Sequence, residues 1–199
     1  MKVILMRHGE TEENKRRTFL GMTDSPLCPD GEEQARRAGA MLPQVEHVYV
    51  SPLRRCRQTA EILWTGVPCT VIPDLRETDF GPFEGKTHEE LAGHPLYEEW
   101  LQDPEDPKIA CFVESPRAAG ARAAAAWGQI VGDAWCHDYE SIGVISHGGT
   151  LMSILSQYSQ PRRSYYAWRF EPCQGYAGEV ETDRTFTLRG RVTAEDREV

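Results

Sequence analysis

At 199 residues, with 40% hydrophobic and 27% charged positions, the chain has the size and balance of one globular domain, which excludes fibrous and disordered classes. A net charge of −9 repels nucleic-acid backbones and anionic lipid, so neither is an expected partner, and an anionic ligand requires locally clustered arginine. No apolar run approaches the ~20 residues of a spanning helix. Met1–Arg7 meets charge too soon for a signal peptide, and the six cysteines (28, 56, 69, 111, 136 and 173) show no Cys-x-x-Cys spacing. Reduced thiols in a cytoplasmic protein are expected, with no metal site built from them.

Lys2–Met6 reads as a strand, followed by a loop at Arg7-His8-Gly9-Glu10-Thr11. Asp30-Gly31-Glu32-Glu33 has the form of a capping box and opens a helix through about Leu42. His47–Val50 reads as a second strand. Ser51-Pro52 then supplies an N-cap and first helical position for a helix to about Trp64, with Leu53, Cys56, Ala60 and Leu63 facing inward. Cys69–Ile72 is a weaker strand, and Thr87–Glu90 is a second capping box before Pro104 and Pro107 break the chain. Residues 116–134 are Ala-rich and helical. Ile142–Ser146 is a buried strand that His147-Gly148-Gly149 turns into a helix with Leu151, Ile154, Leu155 and Tyr158 on one face. Gly178–Leu188 reads as two short strands around Asp183-Arg184, and Ala194–Val199 as a frayed polar end.

Strands alternating with helices predict an α/β protein, three layers α/β/α on a mostly parallel central sheet, with residues 1–199 as a single domain. Residues 85–115 are polar and proline-punctuated and carry Tyr97 and Trp100, which reads as a lid-like insertion over a cleft. Three strand ends carry chemistry: Arg7-His8, Arg54-Arg55 and His147-Gly148-Gly149. Loops at the C-terminal ends of parallel strands meet in one crevice, so two imidazoles and several guanidiniums converge there, which describes an anion site. Helix N-termini after Ser51 and Gly149 would add backbone donors.

Four ordered blocks carry a resemblance. Arg7-His8-Gly9-Glu10-Thr11 continues through Asn14, Gly21, Asp24, Pro26-Leu27, Gly31 and Gln34-Ala35. Ser51–Glu61, Leu75–Gly85 and Ser146–Gly149 follow. In these the chain resembles the histidine phosphatase superfamily, the phosphoglycerate-mutase-like proteins. The resemblance implies that fold and hydrolysis of a small phosphate monoester without a cofactor or metal. It implies His8 as the nucleophile, Arg7 and Arg55 as phosphate clamps, His147 as a second imidazole on the phosphoryl oxygens, and Glu77 as proton donor. A proton donor of this kind calls for partial burial under the lid. Asn14, Thr11, Gly148, Leu20 and Gly21 are the implied substrate-binding positions. Helix spacing does not choose Arg55 over Arg54; the family block does.

Departures from the family pattern bear on the branch. An arginine common between Asn14 and Gly21 is displaced to Arg16-Arg17, and Phe112-Val113-Glu114-Ser115 stands for a Gly-Gly-Glu-Ser block. Mutases of the family typically carry Asn and Arg where this chain has Gly149 and Met152. The compact length, Gly149 and the Glu77-Thr78-Asp79-Phe80-Gly81 stretch resemble the phosphatase branch, and Thr18–Asp24 resembles α-ribazole phosphatases of cobalamin synthesis. A phosphoglycerate mutase is the alternative within the family, and a catalytically silent binding protein lies outside enzymology. A metallohydrolase using His8, His147 and Glu77 lacks His-x-x-x-His spacing, and activity surviving a chelator would dismiss it. The sequence leaves a homodimer open.

Overall fold

The computed structural model describes residues 1–193, so the expected fraying of Ala194–Val199 lies outside the described residues. One sheet is formed by β1 (Lys2–Arg7), β2 (His47–Val50), β3 (Cys69–Val71), β4 (Ser141–Ser146), β5 (Ser159–Gln160), β6 (Gly175–Val180) and β7 (Phe186–Val192). Its order is β3-β2-β4-β1-β6-β7-β5. β3, β2, β4 and β1 pair in parallel, β6 opposes β1 and β7, and β5 runs with β7. The sheet is thus mixed but mostly parallel, as expected.

The helices are α1 (Glu12–Lys15), α2 (Pro29–Gly39), α3 (Arg54–Leu63), α4 (His88–Leu91), α5 (Pro95–Gln102), α6 (Pro107–Ala110), α7 (Pro116–Cys136) and α8 (Gly148–Tyr158). Strand periodicity sorts the core into two faces. Val3 and Leu5 of β1 with Ile142 and Val144 of β4 pack against Ala123, Trp127 and Ile130 of α7 and Leu151 and Ile154 of α8. Ile4, Met6, Val48 and Ile145 pack on the other face against Ala35 and Ala38 of α2 and Cys56, Ala60 and Leu63 of α3. Both faces of β1 and β4 are therefore covered, giving the continuous apolar runs of a buried parallel strand. Gly143 of β4 makes room for Trp64, because a Cβ there would lie 2.5 Å from the indole ring.

Two caps differ from the sequence expectation. The α2 N-cap is Cys28, whose sulfur accepts from the Gly31 N–H, with Pro29 as first helical residue. Asp30 instead pairs with Lys15 at 2.6 Å, and the helix ends at Gly39 rather than Leu42. The α3 cap is Leu53, without a side-chain bond; Ser51 turns its hydroxyl elsewhere. The Thr87 capping box forms as expected at α4. β6 and β7 extend beyond Gly178–Leu188 at both ends. Residues 83–113 build their own small core from Phe83, Leu91, Tyr97, Ile109 and Val113, joined by Phe19, Phe80 and Trp100.

Candidate active site

The site follows from strand register. Arg7 on β1 pairs with Ser146 on β4, so the next residue on each of these neighbouring strands is a histidine. The His8 N–H donates to Ser146 O at 3.0 Å, and the two imidazole centroids lie 5.1 Å apart at 63°. Both rings are buried.

His8 Nδ1 stands 2.6 Å from Gly9 O. A carbonyl only accepts, so Nδ1 carries the proton and Nε2 keeps its lone pair. Arg55 Nε donates to that Nε2 at 3.3 Å. Burial holds the His8 imidazolium form well below its ordinary range, and Arg7 and Arg55 push it further down. His147 is held well below its range by burial, then by Arg55, His8 and Arg7. Both imidazoles are therefore neutral near pH 7.

Arg55 is fully buried. Its guanidinium is satisfied by Thr23 O and Gly21 O, each at 2.8 Å. Gly21 lets this loop lie against Thr78, since a Cβ there would meet Thr78 O at 2.0 Å. The loop is fastened in turn by the Glu84 carboxylate, which accepts from the Met22 and Thr23 N–H groups. Thr59 accepts from Gly9 N–H and donates to Arg55 O, tying the His8 loop to α3. Arg7 donates to Phe170 O at 2.8 Å, while its buried Nε has no partner among the described residues.

Glu77, 9% exposed, closes the other side. Its Oε1 accepts from Thr78 N–H at 2.9 Å and its Oε2 from Gly149 N–H at 3.0 Å. Gly149 is thus committed to Glu77, and Gly148 is the first α8 residue beyond His147. The peptide on either side of Glu77 is braced by Glu114, which accepts from Arg76, from Arg122 and from Asp79 N–H. Arg122 also donates to Arg76 O at 2.6 Å.

The structure thus brings Arg7, His8, Arg55, Glu77, His147 and Gly148 to one place. Gly21 contributes a carbonyl, and Leu20 beside it is half-buried. Thr11 and Asn14 cap α1 reciprocally, Thr11 N–H donating to Asn14 Oδ1 at 3.2 Å. That leaves the Asn14 amide nitrogen as the group it can offer. Neighbours not foreseen are Ser51, whose Oγ lies 2.7 Å from His147 Nε2, Cys56, with its sulfur 3.4 Å from the same nitrogen, and Tyr165. Burial pushes the Cys56 thiol up to about 12, so it stays protonated. Among the described residues the ligand atoms of Glu10, Cys28 and Asp30 also lie within 4.8 Å of one another, a group separate from the histidines.

Among the described residues no helix is long and apolar enough to cross a membrane. Residues 3–190 match the histidine phosphatase superfamily (branch 1). The wheat (Triticum aestivum) 2-carboxy-D-arabinitol-1-phosphatase is 32% identical over 165 residues, covering 78% of this chain and 32% of that protein. The protein named "Probable phosphoglycerate mutase GpmB" from Serratia proteamaculans is 40% identical over 104 residues, covering 50% of this chain and 47% of that protein. The matched segments span less than half the length of these curated relatives. Among solved structures, the α-ribazole phosphatase from Shigella flexneri superposes with a TM-score of 0.85 at 26% identity, covering 98% of this chain and 97% of that one. The phosphoserine phosphatase of Entamoeba histolytica, in complex with 3-phosphoglyceric acid, does so with a TM-score of 0.76 at 26% identity, covering 98% of each.

Proposed function

The chain belongs to the histidine phosphatase superfamily, and from that membership and the site geometry we propose that it hydrolyses a small phosphate monoester through a phosphohistidine on His8. The observation that carries this reading is the unprotonated His8 Nε2, held against the Arg55 guanidinium at 3.3 Å beside a second neutral imidazole. A lone pair on a fixed, desolvated nitrogen is a nucleophile that need not first lose a proton.

The proposed reaction has two displacements. His8 Nε2 forms a bond to phosphorus as the bond to the leaving oxygen breaks, and Glu77 gives that oxygen its proton. Water then attacks phosphorus, losing a proton to the Glu77 carboxylate, and the N–P bond breaks to release inorganic phosphate. Arg7 and Arg55 hold the phosphoryl oxygens by paired charge-assisted bonds. His147 and the Gly148 N–H stabilise the charge that builds on them. Asn14 adds a donor through its amide nitrogen, and Thr11 orients Asn14. The fold is read as one domain in which residues 85–115 form a lid. The six unpaired cysteines suit a reducing cytoplasm.

The Shigella flexneri neighbour favours α-ribazole phosphate among specific substrates. The mutase relatives favour a second reading, isomerisation of a phosphoglycerate. Gly149 and Met152, where mutases of the family carry Asn and Arg, count against it. Hydrolysis of a simple aryl phosphate, with no conversion of 3-phosphoglycerate to 2-phosphoglycerate, separates them in favour of the phosphatase. The central test is rapid-quench labelling with a radiolabelled monoester. The wild-type protein is expected to take up an acid-labile, base-stable label, and His8→Ala to take up none and turn nothing over. Undiminished label in His8→Ala refutes the assignment.

A further inference from the structure

A cavity of about 520 Å³ is lined by Glu77 and by Gly149 of α8, so a leaving group protonated by Glu77 would occupy it. Phe80, Trp100, Tyr165 and Tyr166 supply its aromatic walls and Glu77 and Glu114 its acidic groups; among the described residues no lysine, arginine or histidine lines it. Trp100 is braced by Phe19 at 5.8 Å and Phe83 at 5.5 Å between ring centroids, so that wall is preformed. The nearby guanidiniums of Arg76 and Arg122 are turned onto Glu114 and onto backbone carbonyls.

We infer that this cavity selects monoesters whose leaving group is planar and uncharged or cationic, and that it disfavours leaving groups bearing a carboxylate. The inference rests on the phosphatase reading above and adds the class of alcohol released. Flat π-surfaces gain by stacking against aromatic walls, and a cation gains from the ring faces. A carboxylate would be desolvated there without a free cationic donor, since Arg76 and Arg122 are already committed to Glu114 and to backbone carbonyls. Tyr165 offers a neutral donor at the mouth: burial and the nearby Glu77 push its phenol up to about 12.

The test compares kcat/KM for three alkyl monoesters of similar leaving-group basicity: 1-naphthylmethyl phosphate, glycerol 3-phosphate and 3-phosphoglycerate. The naphthylmethyl ester is expected to exceed 3-phosphoglycerate by roughly 100-fold. Tyr166→Ala, at a side chain 84% exposed and so harmless to folding, and Trp100→Ala should each lower the naphthylmethyl-to-glycerol ratio by about tenfold. Ala119→Lys, placing an ammonium on the cavity wall, should raise the 3-phosphoglycerate-to-glycerol ratio by about tenfold. Equal rates on the three esters, or unchanged ratios in all variants, overturn the inference while leaving the phosphatase reading standing. No hydrolysis of any ester together with no label on His8 overturns both.

Discussion

Gly149→Ala probes the link between α8 and the proposed proton donor. The added Cβ would lie 2.7 Å from Glu77 Oε1 and 3.3 Å from its Cδ, with the Tyr165 hydroxyl also at 3.3 Å. Ordinary contact begins near 3.4 Å, so the carboxyl must retreat by roughly 0.7 Å, lengthening its bond to the residue-149 N–H. A displacement approaching 1 Å of a reacting group costs on the order of 10²-fold, so kcat/KM on an alkyl ester such as benzyl phosphate, which reads the displacement on His8 and not the later attack of water, should fall by about 10- to 100-fold. 4-Nitrophenyl phosphate, whose leaving group departs without a proton, should change by less than about threefold. The helix itself gains: Gly149 carries no positive φ, and alanine is favoured over glycine by up to about 1 kcal/mol in a helix. Thermal denaturation run beside the kinetics should therefore show no large loss. Equal loss on both esters, or none on either, would refute the reasoning.

Glu77→Gln should show the same asymmetry in kcat/KM more strongly, because it removes the proton rather than moving it; a loss of kcat/KM as large on 4-nitrophenyl phosphate as on benzyl phosphate would count against the acid role. Acidification should destabilise the fold through His8 and His147. Their folded-state protonation is pushed far below the unfolded value of about 6.5, so the unfolded chain binds protons that the folded one does not. This stability is fully present above about pH 6.5 and is lost as pH falls below it. From about pH 7.5 to 5.5 the loss reaches up to about 2.7 kcal/mol for the pair, read by urea denaturation in phosphate-free buffer; a flat profile contradicts it. Gly143→Ala should destabilise by about 1–3 kcal/mol because its Cβ meets the Trp64 ring, and a denaturation midpoint equal to wild type would show that the indole shifts freely.

Much of this was legible because the residues that converge sit at the ends of strands. The apolar runs of β1 and β4 and the helical spacing after His147 placed His8 and His147 at the same sheet edge, and their meeting requires only that the two strands be neighbours. What stayed hidden depends on side chains reaching across sequence. Ser51-Pro52 carries the pattern of a helix start, yet the hydroxyl meets His147, because the chain bends once more before Leu53 caps α3. Asp30 looks like a cap, but Pro29 already occupies the first helical position and Lys15 claims the carboxylate. β6 begins at Gly175 rather than at the expected Gly178, and a glycine is needed there: a Cβ would fall 1.8 Å from Leu5 O. Tyr165 lies in a stretch with neither strand nor helix period, so nothing local marked it as a wall of the cavity.

The Glu84 carboxylate has a mechanical consequence. It sits at the root of residues 85–115 and grips the same short loop whose carbonyls hold the Arg55 guanidinium. Tilting that root therefore drags the loop, and the loop drags the cation. On the proposed reading, capture of the alcohol portion and grip on the oxyanion would thereby be coupled through this carboxylate.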